Sequence, residues 1–118
     1  QKYVSIDYRD IFSVVAIAEK GRNERIIAEA RYAYDKRTDA YEIAFIVDED
    51  FQGKGVATFM CDYLIKIARD RGIARFVAFV LPRNEAMLKV FDKCSVKPAR
   101  AYEENTYVLR FDLLSPQN

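Results

Sequence analysis

The first half of the chain carries three stretches rich in β-branched and apolar residues, separated by short polar clusters. This pattern predicts strands at 12–18, 25–34 and 41–47. The clusters at 19–23 and 35–39 contain the glycine, asparagine and aspartate residues that favour turns. Because the connections are short, we expect an antiparallel meander joined by hairpins.

The second half has a different periodicity. A helical stripe has its apolar residues three and four positions apart, at Val56, Phe59, Met60, Tyr63, Leu64, Ile67 and Ala68. Gly72 stands where such a helix would end. The segment 75–81 is apolar on both faces, which is typical of a central strand, and Pro82 ends it. Asn84 is a good N-cap for a second helix, and 99–113 predicts a final strand or hairpin.

These elements predict an α+β fold with the order β-β-β-α-β-α-β(β). We expect a mixed, mostly antiparallel sheet flanked by two main helices. A helix that joins two parallel neighbouring strands requires a right-handed crossover. The 118 residues fit a single domain spanning 1–118.

The charge balance limits the classes of partner. The chain has 19 Lys and Arg residues against 18 Asp and Glu residues, so its formal net charge is +1. A near-neutral chain has no overall field to attract nucleic acid or an anionic membrane, and we expect neither as a partner. The longest apolar run, 76–81, is far shorter than a membrane span, and the first residues lack a signal-peptide pattern. We therefore expect a cytoplasmic protein.

Histidine is absent from the sequence, which excludes histidine-based catalytic pairs and metal sites within this chain. Cys61 and Cys94 are too few for a zinc site, so no metal cofactor is expected. The two cysteines fit either one disulfide or ordinary buried thiols of a reducing compartment. Cys61 lies away from the centre of the apolar stripe, which predicts partial exposure.

The segment 47–57 joins a predicted strand to the start of the long helix. Gly53 and Gly55 let the backbone approach a ligand closely, and the first amides of a helix have no partner within it. This geometry binds phosphate or pyrophosphate. The sequence matches neither a P-loop nor a GxGxxG motif, and a plain glycine-rich connector is the alternative interpretation.

The run 52–57, Gln-Gly-Lys-Gly-Val-Ala, resembles the Q/R-x-x-G-x-G/A signature of the GNAT superfamily of acyl-CoA-dependent N-acetyltransferases. The signature positions fall on Gln52, Gly55 and Ala57. The surrounding order of strand, helix, strand and helix also resembles the family, and the similarity covers 12–113. The resemblance implies a GNAT-like fold and acetyl-CoA or coenzyme A as the co-substrate.

The resemblance also implies where the co-substrate would bind. Backbone groups of Ile46 and Val47 would meet the thioester and the pantetheine arm. Main-chain amides would hold the pyrophosphate, and Thr58 would lie next to it. These amides belong to Gln52, Gly53, Lys54, Gly55, Val56 and Ala57. Asn84 would contact the pantetheine or coenzyme A, and the alternative is a plain N-cap; one side chain could do both.

Two further segments, 5–8 and 41–44, resemble bacterial protein lysine acetyltransferase domains. In that branch a glutamate at the position of Glu42 acts as general base. The resemblance implies transfer of an acetyl group from acetyl-CoA to a primary amine, with a protein lysine as the expected acceptor. The alternatives are a non-catalytic acyl-CoA-binding regulatory domain and a plain interaction module, and Glu42 could be an ordinary solvent-facing strand residue.

The chain departs from the family pattern in two places. Phe91 stands where many members have a tyrosine that protonates the leaving thiolate, so another group or water would have to do so, or the thiolate leaves unassisted. The family also begins with a strand and two helices that are not evident before residue 12. We therefore expect the C-terminal part of a longer protein or a reduced variant, with a fused CoA-handling module or a homodimer as possible partners.

Overall fold

The structure of the chain is a computed structural model that describes residues 2–8 and 10–114. It contains seven strands, two α-helices and a short 3₁₀ turn at Glu49–Phe51. The bounds in chain order are β1 Lys2–Tyr8, β2 Ile11–Lys20, β3 Asn23–Asp35, β4 Ala40–Val47, α1 Val56–Asp70, β5 Arg75–Val80, α2 Glu85–Asp92, β6 Ala99–Glu103 and β7 Thr106–Asp112.

All seven strands form one sheet in the order β1-β2-β3-β4-β5-β7-β6. Every neighbouring pair is antiparallel except β4 and β5, which run parallel because α1 connects them. The predicted α+β class, with a mixed, mostly antiparallel sheet and two main helices, is therefore confirmed.

Strand β1 was not predicted from the sequence. It is an edge strand paired only with β2, and all seven of its residues are exposed, so it has no buried face to produce a clear hydrophobic pattern. Helix α1 holds it in place. The ring of Tyr3 lies 4.8 Å from that of Phe59, and Asp7 accepts a hydrogen bond from Arg71 at 2.9 Å. The predicted meander thus has a further strand ahead of it.

Both helices pack on the same face of the sheet. One core cluster joins alternate strand residues to side chains of α1 and α2, including Val14, Tyr32, Ile43, Phe76, Leu109, Leu64 and Phe91. The opposite face carries Glu42, Ala44 and Ile46 of β4, since side chains alternate along a strand. No helix covers that face within the described ranges, and Ile46 is 72% exposed there.

The long helix ends as its sequence predicts. Gly72 adopts a positive φ of 75°, which few other residues tolerate. Its amide donates to the carbonyl of Arg69, and the amide of Ile73 donates to that of Ala68 at 2.9 Å. These two bonds form a Schellman motif, which satisfies carbonyls that the helix leaves unpaired.

The two cysteines are buried free thiols. Cys61 is fully buried, so the expected partial exposure was wrong: α1 is covered on that side by the segment that follows α2, to which Cys94 belongs. A hydrogen bond with the Cys94 thiol, together with burial, raises the pKa of Cys61. Both thiols therefore serve the core between α1 and the end of α2.

Candidate functional site

Strands β4 and β5 separate soon after they meet. They pair only at Tyr41 with Phe76 and at Glu42 with Val77. Beyond this point a cavity of about 270 Å³ opens between them, lined by both strands and by α2. From Ile43 onward the β4 edge that faces β5 has no strand partner, so its backbone groups are available to an extended ligand.

A larger cavity of about 820 Å³ adjoins this opening. Phe45, Asn84 and Met87 line both cavities, so the two cavities lie side by side and together form a groove. The walls of the larger part are the end of β4, the loop that follows, the start of α1 and one face of α2. The groove therefore runs from the separation of the strands to the N-terminus of α1.

The loop between β4 and α1 is braced by side chains. Asp48 accepts a hydrogen bond from the amide of Asp50 at 3.0 Å, which starts the 3₁₀ turn. Arg25 of β3 lies 3.5 Å from the Asp48 carboxylate and 3.7 Å from that of Asp50. The amide of Phe51 donates to the Asp48 carbonyl at 2.9 Å. These contacts fix the conformation in which the chain reaches the glycines.

Gln52 spans the loop. Its side-chain Nε2 donates to the carbonyl of Val47 at 3.2 Å, and its backbone amide donates to the carbonyl of Glu49 at 3.3 Å. The side chain also lines the larger cavity. Gln52 thus ties the loop to the end of β4, and its own amide already has a partner inside the loop.

The two loop glycines have left-handed backbone conformations, with φ of 76° at Gly53 and 82° at Gly55. A Cβ atom added to either would meet no other atom within 4 Å, so both border open space. Gly55 is the N-cap of α1 and offers no side-chain cap. The first amides of the helix, at Val56, Ala57 and Thr58, line the cavity and have no carbonyl partner within the helix. This end of the groove is suited to an anion.

Lys54 is the one predicted loop residue that does not line the cavity. Its Nζ lies 5.3 Å from the centroid of the Phe51 ring, in a cation–π contact. The expected contact of the Lys54 main-chain amide with the pyrophosphate stays a prediction.

Asn84 has the predicted capping role. Its Oδ1 accepts a hydrogen bond from the amide of Met87 at 3.2 Å and so caps α2. The residue also lines both parts of the groove, where its side-chain NH₂ group remains a possible donor. Capping and ligand contact are therefore compatible at this position.

Glu42 lies at the point where the strands separate. It is partly exposed, lines the smaller cavity and has Ala33 and Val77 beside it on the neighbouring strands. No hydrogen bond or ion pair involves its carboxylate among the described residues. Among the described residues lining the smaller cavity, Glu42 alone carries a titratable side chain.

Phe91 belongs to the core as well as to the wall of the smaller cavity. It is 2% exposed, and its ring lies 5.6 Å from Phe45 and 5.5 Å from Phe111. It supplies an apolar surface and no proton. Sequence reasoning missed three charged residues that line the larger cavity, Glu85 and Lys89 of α2 and its C-cap residue Lys93. Their spacing of four residues on one helix face is the signal that would have found them.

The described residues contain no group of three carboxylate or cysteine side chains placed to hold a metal ion. Neither helix in the described part of the chain has the length and apolar character needed to cross a membrane.

Comparison with known proteins shows which family this chain belongs to. The model of the Acetyltransferase (GNAT) family matches residues 2–95. The chain belongs to the GNAT family. Among curated proteins, Acetyltransferase Pat of Mycolicibacterium smegmatis is 37% identical over 89 residues, which cover 75% of this chain and 26% of Pat. The chain thus spans about a quarter of the length of that relative, and the expected fused module or homodimer stays a prediction.

Solved structures agree with this assignment. The GNAT domain of S. lividans PAT superposes with a TM-score of 0.72 at 33% identity, covering 87% of this chain and 61% of that one. A cAMP-binding acyltransferase from Mycobacterium smegmatis gives a TM-score of 0.73 at 32% identity, covering 92% of this chain and 33% of the other. The predicted GNAT-like fold and the resemblance to bacterial Pat domains are confirmed.

Proposed function

We propose that the chain is an acyl-CoA-dependent N-acetyltransferase that moves an acetyl group from acetyl-CoA to a primary amine, with a protein lysine as the acceptor. The observation that carries the proposal is the groove formed by the two adjoining cavities, which has an unpaired strand edge at one end and the unpaired amides of a helix N-terminus at the other. Acetyl-CoA has a matching shape: a thioester on an amide-bearing arm that ends in a pyrophosphate.

The residues present fit this co-substrate. The arm carries peptide-like amides, which suit the free edge of β4 at Ile46 and Val47. The pyrophosphate suits the helix N-terminus from Gly53 to Thr58, because the amides and the helix dipole favour negative charge there. The open space beside Gly55 leaves room for that approach. Asn84 would contact the arm near its middle, since it lines both parts of the groove.

Glu42 is proposed as the general base. A lysine side chain is an ammonium ion near neutral pH, because its pKa is about 10.4. It must lose a proton before its nitrogen can attack the thioester carbon, and the unpartnered carboxylate of Glu42 would take that proton directly or through water. The new C–N bond then forms, the C–S bond breaks with its electron pair on sulfur, and the thiolate receives a proton.

The acceptor is proposed to be a protein lysine for two reasons. Glu42 lies on the sheet face that carries no helix within the described residues, so a large acceptor can reach it. The similarity to proteins named Pat supports the same class of substrate.

The test is direct transfer. The chain is incubated with acetyl-CoA and lysine-containing proteins, and mass spectrometry locates acetylated lysines while a thiol reagent measures released coenzyme A. We expect both products in equal amounts. Tight binding of acetyl-CoA with no transfer to any amine would contradict the proposed enzymatic activity. It would favour the alternative of a regulatory acyl-CoA-binding domain.

A further inference from the structure

Two lysines, Lys89 of α2 and Lys93 at the C-cap of that helix, line the larger cavity and have no role in the proposed transfer. Lys89 and Lys93 are four residues apart, so they lie on the same helix face about 6 Å apart along its axis. Both are exposed, and neither side chain forms a hydrogen bond or ion pair among the described residues. Their ammonium groups are therefore free to meet a ligand.

The charge along this helix face is ordered. Glu85 lines the cavity at the start of α2, beside Asn84, which also lines the smaller cavity. Lys89 and Lys93 follow one and two turns further along the same face. The acidic end thus faces the part of the groove proposed for the uncharged arm, while the basic end lies away from it.

The larger cavity consequently offers two separate features for anions. One is the set of amides at the start of α1, and the other is the lysine pair at the C-terminal end of α2. A ligand that uses both must carry two separate anionic groups. Coenzyme A does so, because its adenosine bears a 3′-phosphate in addition to the pyrophosphate.

We propose that Lys89 and Lys93 bind the 3′-phosphate of coenzyme A and make the site select acetyl-CoA over acetyl-dephospho-CoA. The inference rests on the proposed function, since it assumes that the pyrophosphate lies at the α1 amides. A phosphomonoester is close to a dianion at pH 7. Lysine suits it as a compact charge with three donors on a flexible stem.

The test measures both ligands on matched variants. Calorimetry gives the affinities of acetyl-CoA and acetyl-dephospho-CoA for the wild-type chain, Lys89→Met, Lys93→Met and the double variant. Methionine keeps much of the stem and a similar helix propensity, so the fold is preserved. Lys66→Met is the control, because Lys66 is an exposed lysine of α1 that does not line the cavity.

Exposed ion pairs contribute little individually, so each single substitution should lower the affinity for acetyl-CoA by about two- to fivefold. We expect the affinity of the double variant for acetyl-CoA to fall by about tenfold, while its affinity for acetyl-dephospho-CoA stays almost unchanged. The fall should be smaller at high salt, because salt screens the charges. Lys66→Met should change neither affinity.

An equal loss of affinity for the two ligands would indicate that the lysines contact the pyrophosphate, and it would overturn the proposal. Unchanged affinities in the double variant would overturn it as well. A wild-type chain that binds both ligands equally also contradicts selection of the 3′-phosphate while leaving the proposed function intact. A wild-type chain that binds neither ligand would instead contradict the proposed function, and this inference with it.

Discussion

At the α1 end of the groove, the lining residues Val56, Ala57 and Thr58 present backbone amides that have no partner within the helix. At the separation of β4 and β5, the one titratable group among the described lining residues is the side chain of Glu42. The first end depends on backbone conformation, which Gly53 and Gly55 permit. The second depends on the chemical identity of one residue.

The two ends should therefore fail in different ways. A substitution that fills space or shifts the backbone should remove binding at the α1 end, whereas a change of charged group at the strand end should remove transfer and spare binding. Arg25, Asp48 and Gln52 hold the loop between the two ends, so they couple its shape to the end of β4.

The largest expected effect is at the strand end. Glu42→Gln keeps the size of the side chain and cannot accept the proton, so kcat for lysine acetylation should fall by about 10²–10⁴-fold. The deficit should shrink as pH rises toward about 10.4, where the free amine needs no base. A pH series of initial rates measures both effects, with acetyl-CoA affinity as the control that should barely change. Wild-type turnover near neutral pH would make Glu42 structural.

Next in size is the loss of binding at the α1 end. Gly55→Leu places a side chain in the open space beside the helix amides, so acetyl-CoA should no longer stabilise the chain. In the wild type, ligand at 100 times its Kd should add about 2.7 kcal/mol, read as a raised Tm.

The matched control for Gly55→Leu is Gly21→Leu. Gly21 has a similar positive φ of 64° in the hairpin between β2 and β3, and it also borders open space. Both variants force a leucine into a positive φ, so both should melt lower without ligand. Only Gly21→Leu should keep the ligand-induced rise in Tm, and an equal rise in both would show that the loop does not hold the co-substrate.

A smaller effect is expected from the hydrogen bond by which Gln52 ties the loop to the end of β4. Gln52→Ala removes the hydrogen bond to the Val47 carbonyl, and a bond of this kind contributes about 0.5–1.5 kcal/mol. If that energy holds the loop in its binding conformation, acetyl-CoA affinity should fall by up to about tenfold with kcat little changed. Titration at saturating amine separates the two parameters. A fall in kcat with unchanged affinity would be inconsistent with a bracing role.

The smallest expected effect concerns Asn84, which serves the fold and the groove together. Asn84→Ala should cost about 1 kcal/mol of unfolding free energy through the lost cap, measured by urea denaturation. Asn84→Asp restores a capping acceptor and removes the NH₂ donor. If stability returns and acetyl-CoA affinity does not, the side chain contacts the co-substrate. Full recovery of both would leave Asn84 as a cap alone.

Much of the fold could be predicted because its strongest elements have a buried side. The stripe of α1 and the two-faced apolar run of β5 each reflect contact with the core, and the structure places both as expected. Strand β1 was missed for the opposite reason: every residue in it is exposed. Its partners, Phe59 of α1 and the C-cap residue Arg71, are more than fifty residues away in sequence.

The site divides along similar lines. The glycine signature indicated the loop because positive φ angles restrict the residue type locally, and both glycines have them. The direction of Lys54 depends on its contact with Phe51, which the signature does not encode. The positions of Lys89 and Lys93 in the cavity wall depend on how α2 packs beside α1.

The sequence by itself determined most of the local elements, the glycine-rich loop before α1 and the resemblance to the GNAT family, because periodicity, turn chemistry and glycine spacing act over a few residues. Only the tertiary structure decided that β4 and β5 part after Glu42, that this carboxylate has no partner among the described residues, and that two lysines enter the larger cavity. These features arise where segments distant in sequence meet, and packing between such segments leaves no short-range pattern.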